Sequence, residues 1–186
     1  MRIESAPSST VPSFGLRQIE RRDQGEWFDY LRLPEVYQHT SWNVQTPDDL
    51  DPLFATYESN ASTSPRRLAV VDLESGRLAG TIGFHTVSDV NCTAEIAYDL
   101  SPAYWGRGLA SRLCEVVTAW SFATYGFVRV QATVLVGNER SLRVLQRSGY
   151  QREGLLRSFR MVRGRPGDFH LYARLATQTP APSAPS

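Results

Sequence analysis

The sequence predicts an α/β fold in which a central mixed sheet carries helices on both faces. Strand-like and helix-like runs follow one another in the order βααβββαβαββ, which suits a sheet covered on both sides. The chain has 186 residues, of which 41% are hydrophobic, and this is enough for a substantial core. We therefore expect one domain, at 14–175.

The first half of the chain is predicted to form four strands and two helices. An alternating pattern predicts the first strand, and Thr46-Pro47-Asp48 is typical of a helix start. A turn at Glu74-Ser75-Gly76 joins two strands into a hairpin, which a third strand continues. The predicted strands are 16–21, 67–73, 78–87 and 92–100, and the predicted helices are 24–33 and 48–59.

The second half is predicted to form two helices and three strands. Leu113, Val116, Val117 and Trp120 recur with the spacing of one helical face. A turn at 164–167 separates the last two strands. The predicted helices are 107–123 and 139–148, and the predicted strands are 128–136, 150–162 and 168–175.

A glycine-rich loop links the strand at 92–100 to the helix that follows it. Gly106 and Gly108 allow backbone N–H groups to turn toward an anion, and the N-terminus of the helix adds partial positive charge. The loop is therefore a candidate pyrophosphate site. The alternative is a tight turn in which the glycines serve only the backbone angles.

Two other glycine-rich motifs are excluded by spacing and composition. A dinucleotide fingerprint needs a third glycine, but Ser111 occupies that position, and no acidic residue ends the next strand. A P-loop needs a lysine, and all 20 basic residues of this chain are arginines. The absence of lysine also excludes self-acetylation on lysine side chains.

A second motif starts the helix predicted at 139–148. Asn138 is a suitable N-cap, and Ser141 lies three residues later. Together with Gly106, Gly108 and Ala110, this Asn-x-x-Ser start resembles the GNAT superfamily of acyl-CoA-dependent N-acetyltransferases. The resemblance covers about residues 14–175 and implies a sheet that splays between its fourth and fifth strands.

The loop and the strand before it resemble one branch in particular, the ribosomal-protein alanine N-acetyltransferases. Tyr104-Trp105-Gly106-Arg107-Gly108 and Ala94-Glu95-Ile96 match patterns common in that branch. The resemblance implies acetyl-CoA as acyl donor, no metal, and an amine as acceptor. The residues that it assigns to acetyl-CoA are Trp105, Gly106, Arg107, Gly108, Leu109, Ala110, Asn138 and Arg143.

Two of these assignments have alternatives or departures. A solvated helix face explains Arg143 equally well. Trp105 stands where many superfamily members carry Gln or Arg, so one side-chain contribution to the loop is expected to be missing.

Glu95 and Ser141 are the candidate catalytic residues. The acceptor amine must lose a proton before it attacks the thioester, and Glu95 is placed to accept it directly or through water. Its alternative is an ordinary exposed strand carboxylate. The resemblance to the alanine-acetyltransferase branch implies that Ser141 donates its hydroxyl to the departing thiolate, and the alternative is a backbone hydrogen bond in the first turn of the helix. Many GNAT enzymes use a tyrosine seven residues after the Asn, but that residue here is Leu145.

The sequence gives less information about the residues that bind the acceptor. Tyr37 and Trp42 lie between the first two predicted helices and are candidate substrate contacts, with a packing role in the core as the alternative. The leading hypothesis is transfer to a protein N-terminal α-amine. A small amine such as an amino acid, polyamine or antibiotic is the second hypothesis, and a non-catalytic acyl-CoA-binding module is the third.

The remaining expectations concern the chain ends and the partners. Segments 1–13 and 176–186 are rich in Ser, Pro and Ala and are expected to be disordered, with no signal peptide or membrane span. Cys92 and Cys114 are expected to be buried packing residues in a reducing cytoplasm. A net charge of +1 argues against nucleic acid as a partner, and the protein is expected to be a monomer or homodimer.

Overall fold

The computed structural model of this chain describes residues 3, 5–41 and 44–178. Its strands are β1 Phe14–Gln18, β2 Arg66–Asp72, β3 Leu78–Ser88, β4 Thr93–Leu100, β5 Arg129–Leu135, β6 Gln151–Val162 and β7 Arg165–Leu175. Its α-helices are α1 Gln24–Leu31, α2 Pro34–Tyr37, α3 Asp51–Glu58, α4 Leu109–Tyr125 and α5 Glu139–Arg147.

The described strands form one mixed sheet in the order β1-β2-β3-β4-β5-β7-β6. Neighbouring strands are antiparallel except for β4 and β5, which are parallel. Helices cover both faces, so the predicted α/β class is confirmed.

The short helix α2 is an addition to the predicted order. The helix predicted at 24–33 ends at Leu31, because the proline ring at position 34 disfavours helical backbone at Leu33. Pro34 then occupies the first turn of α2, where its missing N–H is not needed.

Helix α4 begins two residues later than predicted. Gly108, its N-cap, has a φ of +71° in the left-handed region, and such a residue cannot continue a helix backward into Arg107. The helix ends at a second left-handed glycine, Gly126, with a φ of +66°.

The parallel pairing of β4 with β5 is short. It joins Thr93 to Arg129, Ala94 to Val130 and Glu95 to Gln131. Beyond Glu95 the two strands part, while β5 continues to pair with β7 as far as Leu135. The sheet is therefore splayed between its fourth and fifth strands, as predicted.

Two hydrophobic cores lie on opposite faces of the sheet. Leu68 and Val70 of β2 point into the core that contains α4 and α5, whereas Ala69 between them points into the core beneath α1 to α3. On β4, Ala94 and Ile96 belong to the α4 core. Because side chains alternate along a strand, Glu95 faces the opposite side, toward α1 to α3.

A buried ion pair on that second face links three strands to helix α1. Arg67 of β2 pairs with Asp99 of β4, and both side chains are less than 10% exposed. Arg67 also donates to the Thr81 hydroxyl of β3 at 2.8 Å. From α1, the Tyr30 hydroxyl and the Trp27 indole donate to the same carboxylate.

The prediction that both cysteines are buried is confirmed for Cys114 and wrong for Cys92. Cys114 is buried in α4, where burial raises the pKa of its thiol to about 11. Cys92 is exposed, because it lies in the turn between β3 and β4 rather than in the strand. No helix in the described part of the chain is long and apolar enough to cross a membrane.

Replacing Arg67 with Met is expected to destabilise the fold by about 3–5 kcal/mol, because it leaves the Asp99 carboxylate buried without its cation. Urea unfolding at pH 7 measures this change. The matched control is Arg77→Met, whose exposed ion pair with Glu26 spans 3.9 Å and is expected to change stability by less than about 1 kcal/mol. Similar values for the two variants would contradict the importance given to the buried pair.

Candidate active site

A cleft of about 530 Å³ opens between the glycine-rich loop and helix α5. One wall consists of the loop and the start of α4, with Trp105, Gly106, Gly108 and Ala110. The opposite wall is helix α5, from its N-cap Asn138 to Arg147. The cleft thus brings together the two sequence motifs, which are about 30 residues apart in the chain.

Backbone conformation explains the two glycines of the loop. Gly106 and Gly108 have φ values of +77° and +71°, and a Cβ at either position would meet no neighbouring atom within 4 Å. Glycine is therefore required for the left-handed backbone rather than for space. The Trp105 indole N–H donates to the Leu100 carbonyl at 2.9 Å and anchors the loop to the end of β4.

Two of the residues predicted to contact the cofactor have other surroundings. Arg107 is exposed, lies over the Tyr104 ring at 5.7 Å and does not line the cleft. Leu109 lines the cleft but is a buried core residue, only 3% exposed. The remaining predicted cofactor residues, Trp105, Gly106, Gly108, Ala110, Asn138 and Arg143, all line the cleft.

Helix α5 presents a row of guanidinium groups to the cleft. Arg140, Arg143 and Arg147 all line it, and Arg140 stacks over the Trp105 ring at 4.3 Å from its centre. The sequence analysis identified only Arg143. Arg140, Arg143 and Arg147 are spaced by three and four residues, which places them on one face of the helix. This spacing is the sequence signal from which Arg140 and Arg147 could have been predicted.

Asn138 caps α5 and ties it to the segment after α2. Its Oδ1 accepts the Ser141 amide N–H at 3.1 Å, and its Nδ2 donates to the His39 carbonyl at 3.4 Å. The cap predicted for Asn138 is therefore present. Ser141 sits in the first turn of α5, and its carbonyl accepts the Tyr98 hydroxyl at 3.2 Å.

A second cavity of about 410 Å³ adjoins the first on the side of α1 to α3 and the β6–β7 hairpin. Six of the described residues line both cavities and form what we call the junction: His39, Thr40, Tyr98, Asp99, Asn138 and Ser141. The two cavities therefore meet where β4 and β5 separate.

Glu95 lies behind the wall of the second cavity. Its carboxylate accepts the Thr133 hydroxyl at 2.5 Å and Arg160 Nη2 at 3.0 Å, and His85 Nε2 lies 3.3 Å away. Thr133, Arg160 and His85 line the cavity, but Glu95 itself does not. The carboxylate is buried, so the alternative of an exposed strand residue is wrong.

The surroundings of Glu95 favour its charged form. Burial alone would raise the pKa of this carboxyl, but the contacts with His85 and Thr133 and the charge of Arg160 outweigh burial and lower it to about 2. Glu95 is therefore an anion at neutral pH and a weak proton acceptor.

Of the two predicted substrate residues, the structure describes Tyr37 and does not bring it into the site. Tyr37 is 42% exposed, and it lines neither cavity. Trp42 lies outside the described residues. The sequence suggested Tyr37 because its segment is rich in aromatic residues and, by the family resemblance, lies on the acceptor side, but neither observation indicates where a particular side chain points.

Arg163, in the turn between β6 and β7, holds the segment that contains Tyr37. Its guanidinium donates to the carbonyls of Tyr37, Gln38 and Thr40 at 3.0, 3.0 and 3.2 Å. The hairpin and the segment after α2 are thereby fixed to each other at the rim of the second cavity.

Comparison with known proteins agrees with this geometry. Residues 14–151 match the family described as acetyltransferase (GNAT) domain. The chain belongs to the GNAT acetyltransferase family. It is therefore an N-acetyltransferase that uses acetyl-CoA as its acyl donor.

Several relatives of this acetyltransferase are known. It is 29% identical over 162 residues to the uncharacterized N-acetyltransferase YoaA of Bacillus subtilis, covering 85% of this chain and 90% of the relative. It is 30% identical over 98 residues to the ribosomal-protein-serine acetyltransferase of Escherichia coli, covering 53% and 55%. In fold it resembles the spermidine N-acetyltransferase of Vibrio cholerae, whose structure contains CoA and spermine. The TM-score is 0.78 at 21% identity, with 90% of this chain and 98% of that chain covered.

The residues of the first cleft suit a phosphate-bearing donor. Backbone N–H groups at the start of a 17-residue helix and three arginines converge there, a combination that binds anions. Beyond Glu95, β4 also has no strand paired on its β5 side, so its backbone groups are open to an extended ligand. Among the described residues no group of three His, Cys, Asp or Glu side chains is placed to hold a metal ion.

The low pKa of Glu95 predicts a pH-dependent contribution to stability. A carboxyl whose pKa falls from 4.5 to about 2 on folding stabilises the fold fully above pH 5, and this contribution fades as the pH falls toward 2. Replacing Glu95 with Gln is expected to cost about 2–3 kcal/mol at pH 7 and progressively less below pH 4.5.

Urea unfolding of both proteins between pH 7 and pH 3 measures this difference. Glu115→Gln, at an exposed position of α4, is the matched control and is expected to stay within about 0.5 kcal/mol at every pH. A Glu95→Gln deficit that is the same at pH 3 and pH 7 would contradict the assigned pKa.

Proposed function

We propose that this acetyltransferase transfers the acetyl group of acetyl-CoA to the N-terminal α-amine of a polypeptide, by direct attack of the amine. The observation that carries the proposal is the charge of the second cavity, which we take as the acceptor cavity. Arg67 and Arg160 line it, and Asp99 is the carboxylate among its described lining residues. Asp99 already receives donors from Arg67, Tyr30, Trp27 and Thr81.

This charge pattern disfavours a polyamine. A polyamine carries several ammonium groups, and each needs an acidic or strongly polar partner when it leaves water. No described carboxylate in the lining of the acceptor cavity is available for that purpose. A peptide N-terminus brings one ammonium group, followed by carbonyl oxygens that arginine can bind.

The pKa of the acceptor amine also favours a peptide N-terminus over a polyamine. A peptide α-amine has a pKa of about 7.7–8.0, against about 10.4 for an alkyl amine such as lysine. A substantial fraction of α-amines is therefore neutral near pH 7.5, and a weak base is enough to complete the deprotonation. This suits a site in which Glu95 has a pKa of about 2.

Arg160 is the proposed contact for the carbonyl oxygens of the acceptor. Its guanidinium lies 4.9 Å from the centre of the Phe159 ring and 5.7 Å from that of Phe169. Among the described residues its hydrogen-bond partner is Glu95, reached through Nη2, so its other N–H groups remain for a ligand. We propose that Glu95 positions Arg160 and His85. Its predicted role as the direct general base stays a prediction, which its low pKa does not favour.

The first cleft is the proposed acetyl-CoA site. The backbone of Trp105, Gly106, Gly108 and Ala110 would hold the pyrophosphate at the start of α4, and Arg140, Arg143 and Arg147 would bind phosphate oxygens. Asn138 would keep α5 in place beside the pantetheine arm. A role for Arg107 stays a prediction, because its side chain points over Tyr104.

Ser141 is the proposed hydrogen-bond donor to the thiolate of CoA. It lies at the junction of the two cavities, in the first turn of α5. A donor there stabilises the negative charge that develops on sulfur as the C–S bond breaks. The Tyr98 hydroxyl, which donates to the Ser141 carbonyl, holds this turn against β4.

An acceptor comparison tests the proposed function. Peptides with a free α-amine and no lysine are expected to be acetylated with a kcat/KM at least tenfold above that for spermidine, and the same peptides with a blocked N-terminus should not react. Release of the CoA thiol measures the rates, and mass spectrometry locates the acetyl group. A preference for spermidine or for free amino acids would replace the proposal with the small-amine function.

The same acceptor assay tests the proposed contact between Arg160 and the carbonyl oxygens of the acceptor. Arg160→Gln is expected to raise the KM of the peptide about tenfold, the equivalent of one charge-assisted hydrogen bond, and to leave the KM of acetyl-CoA unchanged. Arg152→Gln, on the same strand but lining neither cavity, is the matched control.

Removing the Ser141 hydroxyl tests its role in leaving-group departure. Ser141→Ala is expected to lower kcat by about 10²-fold while the Kd of acetyl-CoA, measured by calorimetry, changes less than threefold. Ser141→Thr keeps a hydroxyl and is expected to retain most of the activity. A Ser141→Ala enzyme within threefold of the wild-type kcat would show that another group assists the thiolate.

A cytoplasmic location, disorder of the chain ends and a monomeric or homodimeric state stay predictions. Ile3, Ala6 and Val11 from the N-terminal segment pack against the core that contains α4.

A further inference from the structure

His39 lies where the donor cleft and the acceptor cavity meet. It follows α2 and lines both cavities. Its backbone is held from the opposite side, because its carbonyl accepts a hydrogen bond from Asn138. Arg163 binds the carbonyls of the neighbouring residues 37, 38 and 40. The imidazole is thus carried on a segment whose main chain is fixed at both ends of the histidine.

The other junction residues are unsuited to accept a proton at neutral pH. Asp99 is committed to the buried network with Arg67. Burial raises the pKa of Tyr98 well above its ordinary value, and its hydroxyl donates to the Ser141 carbonyl. Thr40, Asn138 and Ser141 carry no basic group. Of the described residues at the junction, His39 alone combines a basic lone pair with access to both cavities.

We propose that His39 is the general base that accepts a proton from the acceptor ammonium group as the amine attacks the acetyl carbonyl. This inference rests on the proposed function, because it requires an amine in the second cavity and acetyl-CoA in the first. It assigns to the segment after α2 a chemical role that the sequence analysis gave to Glu95.

The charges around His39 keep its imidazole neutral. Burial, Arg140 of α5 and Arg163 of the β6–β7 turn lower its pKa below 6.5. The other ionisable groups that line the two cavities are Glu35 of α2, Tyr57 of α3, Arg67 of β2, His85 of β3, Tyr98 and Asp99 of β4, Tyr104 before the glycine-rich loop, Arg143 and Arg147 of α5 and Arg160 of β6. Cations predominate among these groups, and this favours the neutral form of the His39 imidazole.

In the proposed transfer two protons leave the acceptor nitrogen, one to His39 and one to the thiolate of CoA. His39 takes one proton from the R–NH₃⁺ group, and the nitrogen lone pair of R–NH₂ forms the C–N bond with the thioester carbonyl carbon. The C–S bond then breaks, and its electron pair stays on sulfur. The second nitrogen proton passes to the thiolate with the help of the Ser141 hydroxyl, which gives R–NH–CO–CH₃ and CoA thiol, and the imidazolium of His39 returns its proton to water.

Replacing His39 with Gln in the full-length enzyme tests the proposal. With the acceptor peptide at saturation, kcat is expected to fall by about 10²–10⁴-fold, while the Kd of acetyl-CoA and the melting temperature stay within error. The matched control is His170→Gln, at a histidine of β7 that lines neither cavity, and it is expected to keep wild-type kcat.

The pH profile separates a base from a merely structural residue. The wild-type kcat is expected to decline below pH 6.5 as His39 becomes protonated, and the His39→Gln profile should lack this limb. Added imidazole should restore activity to a His39→Ala enzyme in proportion to its concentration. A His39→Gln enzyme with kcat within threefold of wild type and an unchanged pH profile would overturn the proposal.

A direct titration of His39 by NMR keeps the proposal testable whatever the acceptor is. The wild-type imidazole is expected to titrate below pH 6.5, and CoA should raise this pKa because its phosphates offset the charge of Arg140. An imidazole that is protonated at pH 7.5 would refute His39 as the base. If instead His39 is neutral and no peptide is acetylated, the proposed acceptor is wrong, and the His39→Gln kinetics are measured with whichever amine the acceptor comparison identifies.

Discussion

The two halves of the sheet are joined by three residue pairs between β4 and β5, and the active site depends on how short this join is. Up to Glu95 and Gln131 the strands form a continuous sheet. Beyond that point they diverge, because β5 follows β7 while β4 stays with β3. Backbone groups that would have paired with each other are open on both sides of the gap. An extended ligand that enters the gap completes a hydrogen-bonding pattern that the protein leaves unfinished.

The electrostatics of the site follow from how its carboxylates are used. Asp99 and Glu95 lie on the same face of β4, and each is bound to an arginine from another strand, Arg67 and Arg160 respectively. Both carboxylates are therefore structural anions that hold guanidinium groups in place. Each of the two arginines that line the second cavity therefore has a carboxylate partner, and neither carboxylate is free to pair with a cationic ligand. The charge that a ligand meets in this cavity thus depends on local pairing rather than on the net charge of the chain, which is +1.

Short-range patterns in the sequence predicted the α/β class and many of the residues that line the first cleft, and the family resemblance predicted the splay of the sheet. Gly106 and Gly108 impose left-handed backbone, and Asn138 caps α5, so each motif acts through its immediate neighbours. The acceptor side could not be predicted in the same way. The partners of Glu95 come from β3, β5 and β6, and only the folded sheet shows that Arg160 reaches it. Tyr37 was chosen for its aromatic ring, yet its surroundings are decided by Arg163, which is more than 120 residues away in the chain.

The contact between Arg163 and the segment after α2 has a consequence for how the enzyme can change. All three hydrogen bonds go to main-chain carbonyls, which every amino acid possesses. These hydrogen bonds therefore do not depend on the identity of residues 37, 38 and 40, whereas the contact of the Arg163 guanidinium with the Tyr37 ring, at 5.9 Å from the ring centre, depends on that side chain. Of these three residues Thr40 lines the second cavity, so the side chain there can be exchanged without loss of the hydrogen bonds that hold the segment to the hairpin.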